Sequence, residues 1–353
     1  MLALALIVLA LSIWIVLPGP NLPLFALTVG ASELWPILTI VDIVALAAIV
    51  RFARGRLRAL PIALAAVALG CTLVVPEAYV AYGPHVPLQA FFRAIPPRNV
   101  ASPPPGAPVV VAIYGGAWQR GSPANDAALN ATIASWGYRV VPIDYPHAPQ
   151  ARWPAQRDAV LREIDAIDAR RIVLLGHSSG AQLALIAGAL RSKRVSAIVT
   201  YESPVDLRLG YEYPAQPDII HARAIIGALC DGPPVRKPAC YRSASPRYAV
   251  HAGMPPVMLI AAGRDHVVNL QFERFLRDEL RGDGVPVTYL ELPWADHAFE
   301  TVAGGFHDRI ALWYLRRFLA RTAGTQAGVS RDSWNAGEDA RSLSRRPAPH
   351  ARV

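Results

Sequence analysis

Three long apolar runs stand before residue 80, and the first 32 residues contain no charged side chain. Met1–Leu17 is followed by a cluster of helix breakers, Pro18, Gly19, Pro20, Asn21 and Pro23. Leu34–Val50 carries Asp42 as its only charge, and Ala59–Pro76 carries none. Each run is close to the ~17–25 residues that cross a hydrocarbon core, where the backbone must satisfy its own hydrogen bonds and helices are the expected form. Asp42 is the discordant residue: a carboxylate near mid-span costs on the order of 2.5–3.5 kcal/mol unless it is protonated or paired. Two other readings compete. A signal peptide would carry a basic segment before the first run and a small-residue cleavage site after it, and neither pattern is seen. Buried core helices would adjoin amphipathic partners, whereas these runs are apolar on every face. Residues 1–80 are therefore expected to form a membrane anchor of two or three transmembrane helices.

Orientation follows from the loop that contains Arg51, Arg54, Arg56 and Arg58 and no acid. Such a loop stays cytoplasmic, so the segment after Pro76 is expected on the outer side whether two or three helices span. Cys230 and Cys240 then face an oxidising compartment. A local disulfide and two unrelated free thiols both fit their spacing.

Composition narrows the rest. With 53% apolar and 17% charged residues over 353, the chain has ample material for a core, which excludes disorder of the whole. Three cysteines in so long a chain exclude a disulfide-stapled miniature. The formal charge of +9 looks like a nucleic-acid signature until it is divided. Residues 1–82 hold +1 and the tail from Arg321 holds +3, leaving +5 scattered through the middle. Only Lys193 and Lys237 are lysines, so the basicity is nearly all arginine; no nucleic-acid partner is expected.

From about Val86 the pattern changes to short apolar runs alternating with amphipathic segments, as in a parallel sheet covered on both faces. Strands are expected at Pro108–Ile113, Tyr138–Ile143, Arg171–Leu175, Val195–Tyr201, Pro256–Ala261 and Val287–Leu292. Helices are expected at Asp126–Trp136, Pro154–Ile167, Ala181–Leu190, Asn269–Arg281 and Asp308–Leu319. This α/β domain occupies residues 86–320. Within it, residues 203–253 have no clean period and read as an inserted cap or long loop. Residues 321–353 read as a disordered tail.

The third strand runs directly into Gly176-His177-Ser178-Ser179-Gly180, and a helix follows. Strand, G-x-S-x-G and helix together are what a nucleophile elbow requires, with Ser178 at the apex and the N–H of Ser179 free at a helix N-terminus. Gly-rich turns of this kind also bind phosphate, but no G-x-G-x-x-G or G-K-[ST] pattern is present. A serine nucleophile needs a base and an orienting acid, which follow in the order Ser, Asp, His in such hydrolases. Asp265 ends one later strand and His297 follows the next, both at the sheet edge that holds active sites. Singly, Asp265 caps a turn and His297 is a loop histidine; in this order, each after its own strand, they make a triad with Ser178. Asp296 and His307 are the rivals. The first strand leads into Tyr114-Gly115-Gly116-Ala117-Trp118, whose backbone N–H groups at Gly116 and Ala117 can complete an oxyanion hole with Ser179.

These segments resemble the α/β-hydrolase superfamily, and most closely its bacterial feruloyl-esterase-like and hormone-sensitive-lipase-like esterases. Tyr114-Gly115-Gly116-Ala117-Trp118 is similar to their H-G-G-G-W loop, with Tyr114 in place of the histidine and Ala117 in place of the third glycine. Val141-Pro142-Ile143-Asp144-Tyr145 with Pro149 and Pro154, and Ser243-Ala244-Ser245-Pro246, are further points of likeness. The resemblance covers about Val109 to Leu319 and implies a doubly wound, mostly parallel sheet with a cap insertion, here preceded by transmembrane helices. It implies a serine hydrolase that cleaves carboxylic esters through an acyl-enzyme; the apolar runs and the arginine loop, which the resemblance does not cover, add the expectation of a bacterial inner or cell membrane location with the catalytic domain facing outward. The substrate is expected to be a small-molecule or lipid-like acyl compound, with Trp118, Tyr211 and Tyr213 shaping the pocket. No metal or organic cofactor is implied. An amidase, peptidase or acyltransferase would use the same triad. A non-catalytic binding module of the same fold would be expected to have lost one of its three members.

Overall fold

The computed structural model describes residues 1–92, 103 and 105–323. The amino-terminal region forms four helices: α1 (Leu2–Ser12, prolonged by a 3-10 turn at Ile13–Ile15), α2 (Leu22–Glu33), α3 (Trp35–Phe52) and α4 (Ala59–Tyr82). After a short α5 (Leu88–Phe92), the chain alternates β1 (Val109–Ile113), α6 (Ala127–Ser135), β2 (Arg139–Ile143), α7 (Ala155–Ala166), β3 (Ile172–His177), α8 (Ser179–Leu190) and β4 (Val195–Tyr201). Three short helices follow, α9 (Leu207–Glu212), α10 (Ala222–Cys230) and α11 (Pro238–Ser243). Then come β5 (Val257–Ala262), α12 (Leu270–Gly282), β6 (Val287–Leu292) and α13 (Phe306–Thr322).

The six strands form one sheet in the order β2-β1-β3-β4-β5-β6, and every neighbouring pair is parallel. Strands β1, β3 and β5 are buried along their whole length, which is why they read as continuous apolar runs rather than alternations. Strand β2 is exposed or half-buried except at Ile143, and it is an edge strand that tolerates Pro142. Val109, Val111 and Ile113 turn to a core shared with α7, α8 and α12, while Val110 joins the opposite core with Ile133 of α6 and Leu315 of α13. The sheet is therefore covered on both faces. The region 203–253 folds as the three short helices α9, α10 and α11 plus a 3-10 turn at Pro246–Tyr248. Cys230 and Cys240 are joined by a disulfide, with Cα atoms 5.7 Å apart, tying α10 to α11.

Helices α1, α3 and α4 pack on one another through small and branched residues, Ala5, Val8, Ala45, Ile49, Ala65 and Ala68, as close-packed apolar helices do. Asp42 is buried in this bundle and accepts a 2.8 Å hydrogen bond from Ser12 Oγ. The outer surfaces of α3 and α4 are apolar and bare: Ile40, Val44 and Val67 are all more than half exposed.

Four sequence expectations change here. The first run makes only Leu2–Ser12 plus a 3-10 turn; among the described residues two helices, α3 and α4, are long and apolar enough to span, within the two or three expected. Pro76 does not end the last run; α4 continues to Tyr82, because proline costs an apolar helix one hydrogen bond and need not stop it. The breaker cluster hides α2: Asn21 accepts the N–H of Leu24 at 3.1 Å as an N-cap, and Pro23 occupies the first turn. Finally, α13 runs through Arg321 to Thr322, so the tail starts later than expected; residues 324–353 lie outside the described residues.

The amino-terminal helices and the sheet domain share one core. Ile15, Ala31, Val75 and Tyr79 pack into the same apolar cluster as Phe299, Ile310 and Leu315. Glu33 and His307 bury both side chains completely and meet at 2.6 Å. Ser32 Oγ donates to the Trp294 carbonyl at 2.6 Å. The Arg264 guanidinium donates to the carbonyls of Ile15 and Val16, groups left unpaired at the end of the first helix.

Candidate active site

Strand β3 turns abruptly into α8, with Ser178 at the bend in a backbone conformation (φ 49°, ψ −118°) that side-chain-bearing residues rarely adopt. Two glycines make the bend possible. A Cβ at Gly176 would lie 2.3 Å from the Gly180 carbonyl oxygen, and one at Gly180 would lie 2.1 Å from that of Ile113. Ser178 Oγ stands 3.0 Å from His297 Nε2, and His297 Nδ1 stands 2.8 Å from Asp265 Oδ2. The other Asp265 oxygen accepts the N–H groups of Val267 and Val268, both at 2.7 Å, which fixes the carboxylate plane. An imidazole that donates from Nδ1 to Asp265 presents Nε2 as an acceptor to the serine hydroxyl. Burial disfavours protonation of His297, but the adjacent Asp265 carboxylate, with Glu300 and Asp296 beyond it, outweighs burial and raises the pKa of the ring.

The rivals are engaged elsewhere. Asp296 accepts from the N–H groups of His266 and His297 and pairs with the His266 ring at 2.5 Å, so it binds two loops together. His307 is held between Glu33 and the Pro293 carbonyl.

A second acid was not legible in the sequence. Glu202, the residue after β4, lies 3.5 Å from His297 Nδ1 and accepts the Ala298 N–H at 2.7 Å. Burial pushes its carboxyl well above the ordinary range, and the charges of Glu300 and Asp265 push the same way. Only its position behind His297 distinguishes it, and no local motif reports that. Glu202, Asp265 and His297 offer atoms within 4.8 Å of one another, as a cation site would. Both imidazole nitrogens and the Asp265 oxygens already have hydrogen-bond partners, however, so the set reads as acids that orient the imidazole rather than as a cation site.

The loop after β1 faces the nucleophile. A Cβ at Gly115 would come within 3.1 Å of the Ser178 Cβ, and Gly116 has φ 150°. Among the described residues, the backbone N–H groups of Gly116, Ala117 and Ser179 donate to no protein acceptor. All three residues line the cavity above Ser178. Tyr114, which stands where the resembling esterases have histidine, anchors this loop. Its hydroxyl donates to Asp144 at 2.5 Å and meets His147 Nε2 at 2.9 Å, and its ring stacks on Tyr145 at 4.5 Å.

The cavity has a volume of about 550 Å³. Its lining includes the acids Asp126, Glu202 and Glu300 and the apolar side chains of Val205, Leu207, Ile226 and Phe272. Trp118 lines it and is fixed by a 3.0 Å hydrogen bond from its indole N–H to Gln182. Tyr213 lines it too, but Tyr211 does not: that ring packs edge-on against Tyr241 at 5.8 Å. At 100° per residue, α9 turns Leu207 and Gly210 to the cavity and Tyr211 away from it. Leu22 and Phe25 of α2 also belong to the wall, a contribution from outside the hydrolase-like segment that the sequence did not announce.

Residues 97–280, just over half of the chain, match the BD-FAE family. The chain belongs to that family. Two curated proteins of Mycobacterium tuberculosis (strain ATCC 25618 / H37Rv) are similar to this BD-FAE chain. "Probable carboxylic ester hydrolase LipM" is 28% identical over 250 residues, covering 62% of this chain and 56% of the relative. "Esterase LipC" is 29% identical over 232 residues, covering 59% and 57%. The chain thus spans a little over half the length of these relatives. Among solved structures, the Pyrobaculum calidifontis esterase superposes with a TM-score of 0.55 at 21% identity, covering 64% of this chain and 80% of that one. Esterase LipW from Mycobacterium marinum gives 0.53 at 22%, covering 63% and 75%. At such identities the likeness is one of fold, and the fold is that of the α/β-hydrolases.

Proposed function

We propose that this BD-FAE protein is a membrane-anchored serine hydrolase that cleaves carboxylic esters. The observation that carries the reading is the linked geometry of Ser178, His297 and Asp265, at 3.0 and 2.8 Å, beside three undonated backbone N–H groups. Ser178 Oγ attacks the ester carbonyl while His297 Nε2 takes its proton, and Asp265 holds the ring in the productive tautomer. The N–H groups of Gly116, Ala117 and Ser179 receive the developing oxyanion. His297 then protonates the departing alcohol, and water splits the acyl-enzyme by the same route in reverse. The names of LipM and LipC support an ester substrate.

The anchor reading rests on exposure. Within their most apolar windows, α3 is 17% buried and α4 33%, whereas a core helix of a soluble protein is mostly buried. The Arg51–Arg58 loop between them supports an outward-facing hydrolase domain, and the Cys230–Cys240 disulfide is in keeping with that compartment.

The test is a series of purified variants assayed on p-nitrophenyl esters of increasing chain length, with fluorophosphonate labelling as a second readout. Ser178→Ala is expected to abolish both with the fold intact, and His297→Ala to cost as many decades of kcat, since triad members act as a unit. Wild-type rates in Ser178→Ala would remove the nucleophile and with it the reading. Hydrolysis of anilides in preference to esters would turn it toward an amidase.

A further inference from the structure

The catalytic cavity is closed on one side by a helix of the anchor region. Leu22 and Phe25 of α2 form part of its wall, and Phe25 and Val29 pack on Ile219 of the cap. A second cavity of about 670 Å³ begins at Asn21, Leu22 and Pro23. It shares Leu22, Ala117, Arg120, Ile220 and Ile225 with the first, so one trench runs from α2 to Ser178. Its lining is mostly apolar, with Asn21, Gln119, Arg120 and His221 as the polar members.

The opposite face of α2 is equally apolar. Ala26 and Leu27 are exposed, and no charged residue occurs between Leu22 and Ser32. With Leu17 and Leu34 this face continues into the bare apolar surface of α3 at Ile37 and Ile40. A contiguous apolar surface of that kind marks a membrane contact rather than a water-facing rim. Nor can α2 swing away freely. Glu33 and Ser32 tie its end to His307 and Trp294, and Arg264 holds the chain just before it. Leaflet, α2 and nucleophile are thereby fixed in one arrangement.

We propose that the substrate is a long-chain acyl ester resident in the outer leaflet, which enters the trench past the Asn21–Pro23 end of α2 without passing through water. This inference rests on the esterase and anchor readings above. A lateral path spares the acyl chain the hydrophobic cost that each methylene carries on leaving the bilayer. The chemistry is unchanged and balanced. The bond from Ser178 Oγ to the acyl carbon forms as the bond to the alcohol oxygen breaks, the alcohol leaves with the proton from His297, and water releases the fatty acid.

The experiment uses the full chain reconstituted in vesicles of diether phosphatidylcholine, whose own chains carry no ester. Hydrolysis of water-borne p-nitrophenyl acetate is compared with that of 4-methylumbelliferyl palmitate placed in the bilayer. Leu27→Glu charges the exposed face of α2 and touches neither cavity. It is expected to leave acetate hydrolysis unchanged and to lower bilayer palmitate hydrolysis by about tenfold or more, the loss a removed leucine-sized apolar contact implies. Ala26→Glu, on the same face, is the second variant and should behave alike. Palmitate presented in detergent micelles should restore the rate of both. Equal turnover of bilayer palmitate by wild type and variants overturns the proposal, as does a wild type that cleaves acetate but not bilayer palmitate. Loss of acetate hydrolysis in both variants overturns it too, because α2 would then serve the chemistry rather than access. A wild type that cleaves neither ester, like Ser178→Ala, brings down the esterase reading itself.

Discussion

At the scale of single residues, the two acids behind His297 have different parts to play, and the difference is measurable. Asp265 is the partner that raises the His297 pKa, and the imidazole must be neutral to accept the Ser178 proton. Activity is therefore expected to rise with pH through a midpoint above the ordinary histidine value of about 6.5. Asp265→Asn removes the main raising influence, so the midpoint should move down while kcat falls by ~10⁴-fold through loss of the productive tautomer. Glu202 is different. Burial drives its carboxyl toward the neutral form, and its evident work is to accept the Ala298 N–H. Glu202→Gln keeps an acceptor there and should leave both kcat and the midpoint nearly in place. Glu202→Ala orphans a buried N–H at a cost of ~1–3 kcal/mol and should lower kcat without moving the midpoint. A pH–rate profile of the three variants separates these cases, and a downward shift in Glu202→Gln would mean that Glu202 is ionised in the working enzyme. Ser178, Asp265 and His297 could be singled out from sequence because each follows its own strand. Glu202 also follows a strand, but nothing in Glu202-Ser203-Pro204 says that it will be enclosed behind the imidazole.

At the scale of elements, legibility followed burial. The six strands were readable to within two residues because they are apolar runs enclosed on both faces or bounded by Gly, Pro and Asp. Helix α2 was not, since prolines and a glycine before it read as a stop, although Asn21 and Pro23 also make a helix start. The omission mattered, because α2 carries Glu33, and Glu33 explains His307. The two side chains are fully buried and joined at 2.6 Å, and Glu33 also accepts the N–H of His307 at 2.9 Å. They clamp the anchor region to the first turn of α13. Removing either partner leaves the other buried without its mate, which costs ~3–5 kcal/mol. Glu33→Ala and His307→Ala are each expected to lower the thermal midpoint in detergent by an amount in keeping with that cost. Fluorophosphonate labelling of Ser178 should survive in both below the midpoint, since neither touches the Ser178–His297–Asp265 line. Loss of labelling in well-folded His307→Ala would transfer the base role to it and redraw the site.

At the scale of the whole molecule, the uneven distribution of charge becomes a statement about sides. Arg51, Arg54, Arg56 and Arg58 lie between the two helices long enough to span, α3 and α4, and no acid lies among them. On the proposed reading those arginines keep the loop in the cytoplasm, and α4 is expected to lead outward with the sheet domain after it. Helix α1 is too short to decide anything: with its 3-10 turn it covers Leu2–Ile15, and the orientation is the same whether it inserts or only packs on α4. What the orientation does require is that α4 crosses the bilayer rather than resting wholly on the hydrolase core. Its far end does rest there, through Val75 and Tyr79. Its near half exposes Leu60 and Val67 to the surroundings, and no element of the sheet domain covers them. The hydrolase domain is thus expected on the outer face, bearing its disulfide. Fusing alkaline phosphatase to the C-terminus in one bacterial strain and green fluorescent protein in another tests this directly. High phosphatase activity with dark fluorescent protein is the expected pair, because the first folds only outside the cytoplasm and the second only within. The reverse pair would put the catalytic domain in the cytoplasm on the same side as the arginine loop, so that α4 does not cross the bilayer.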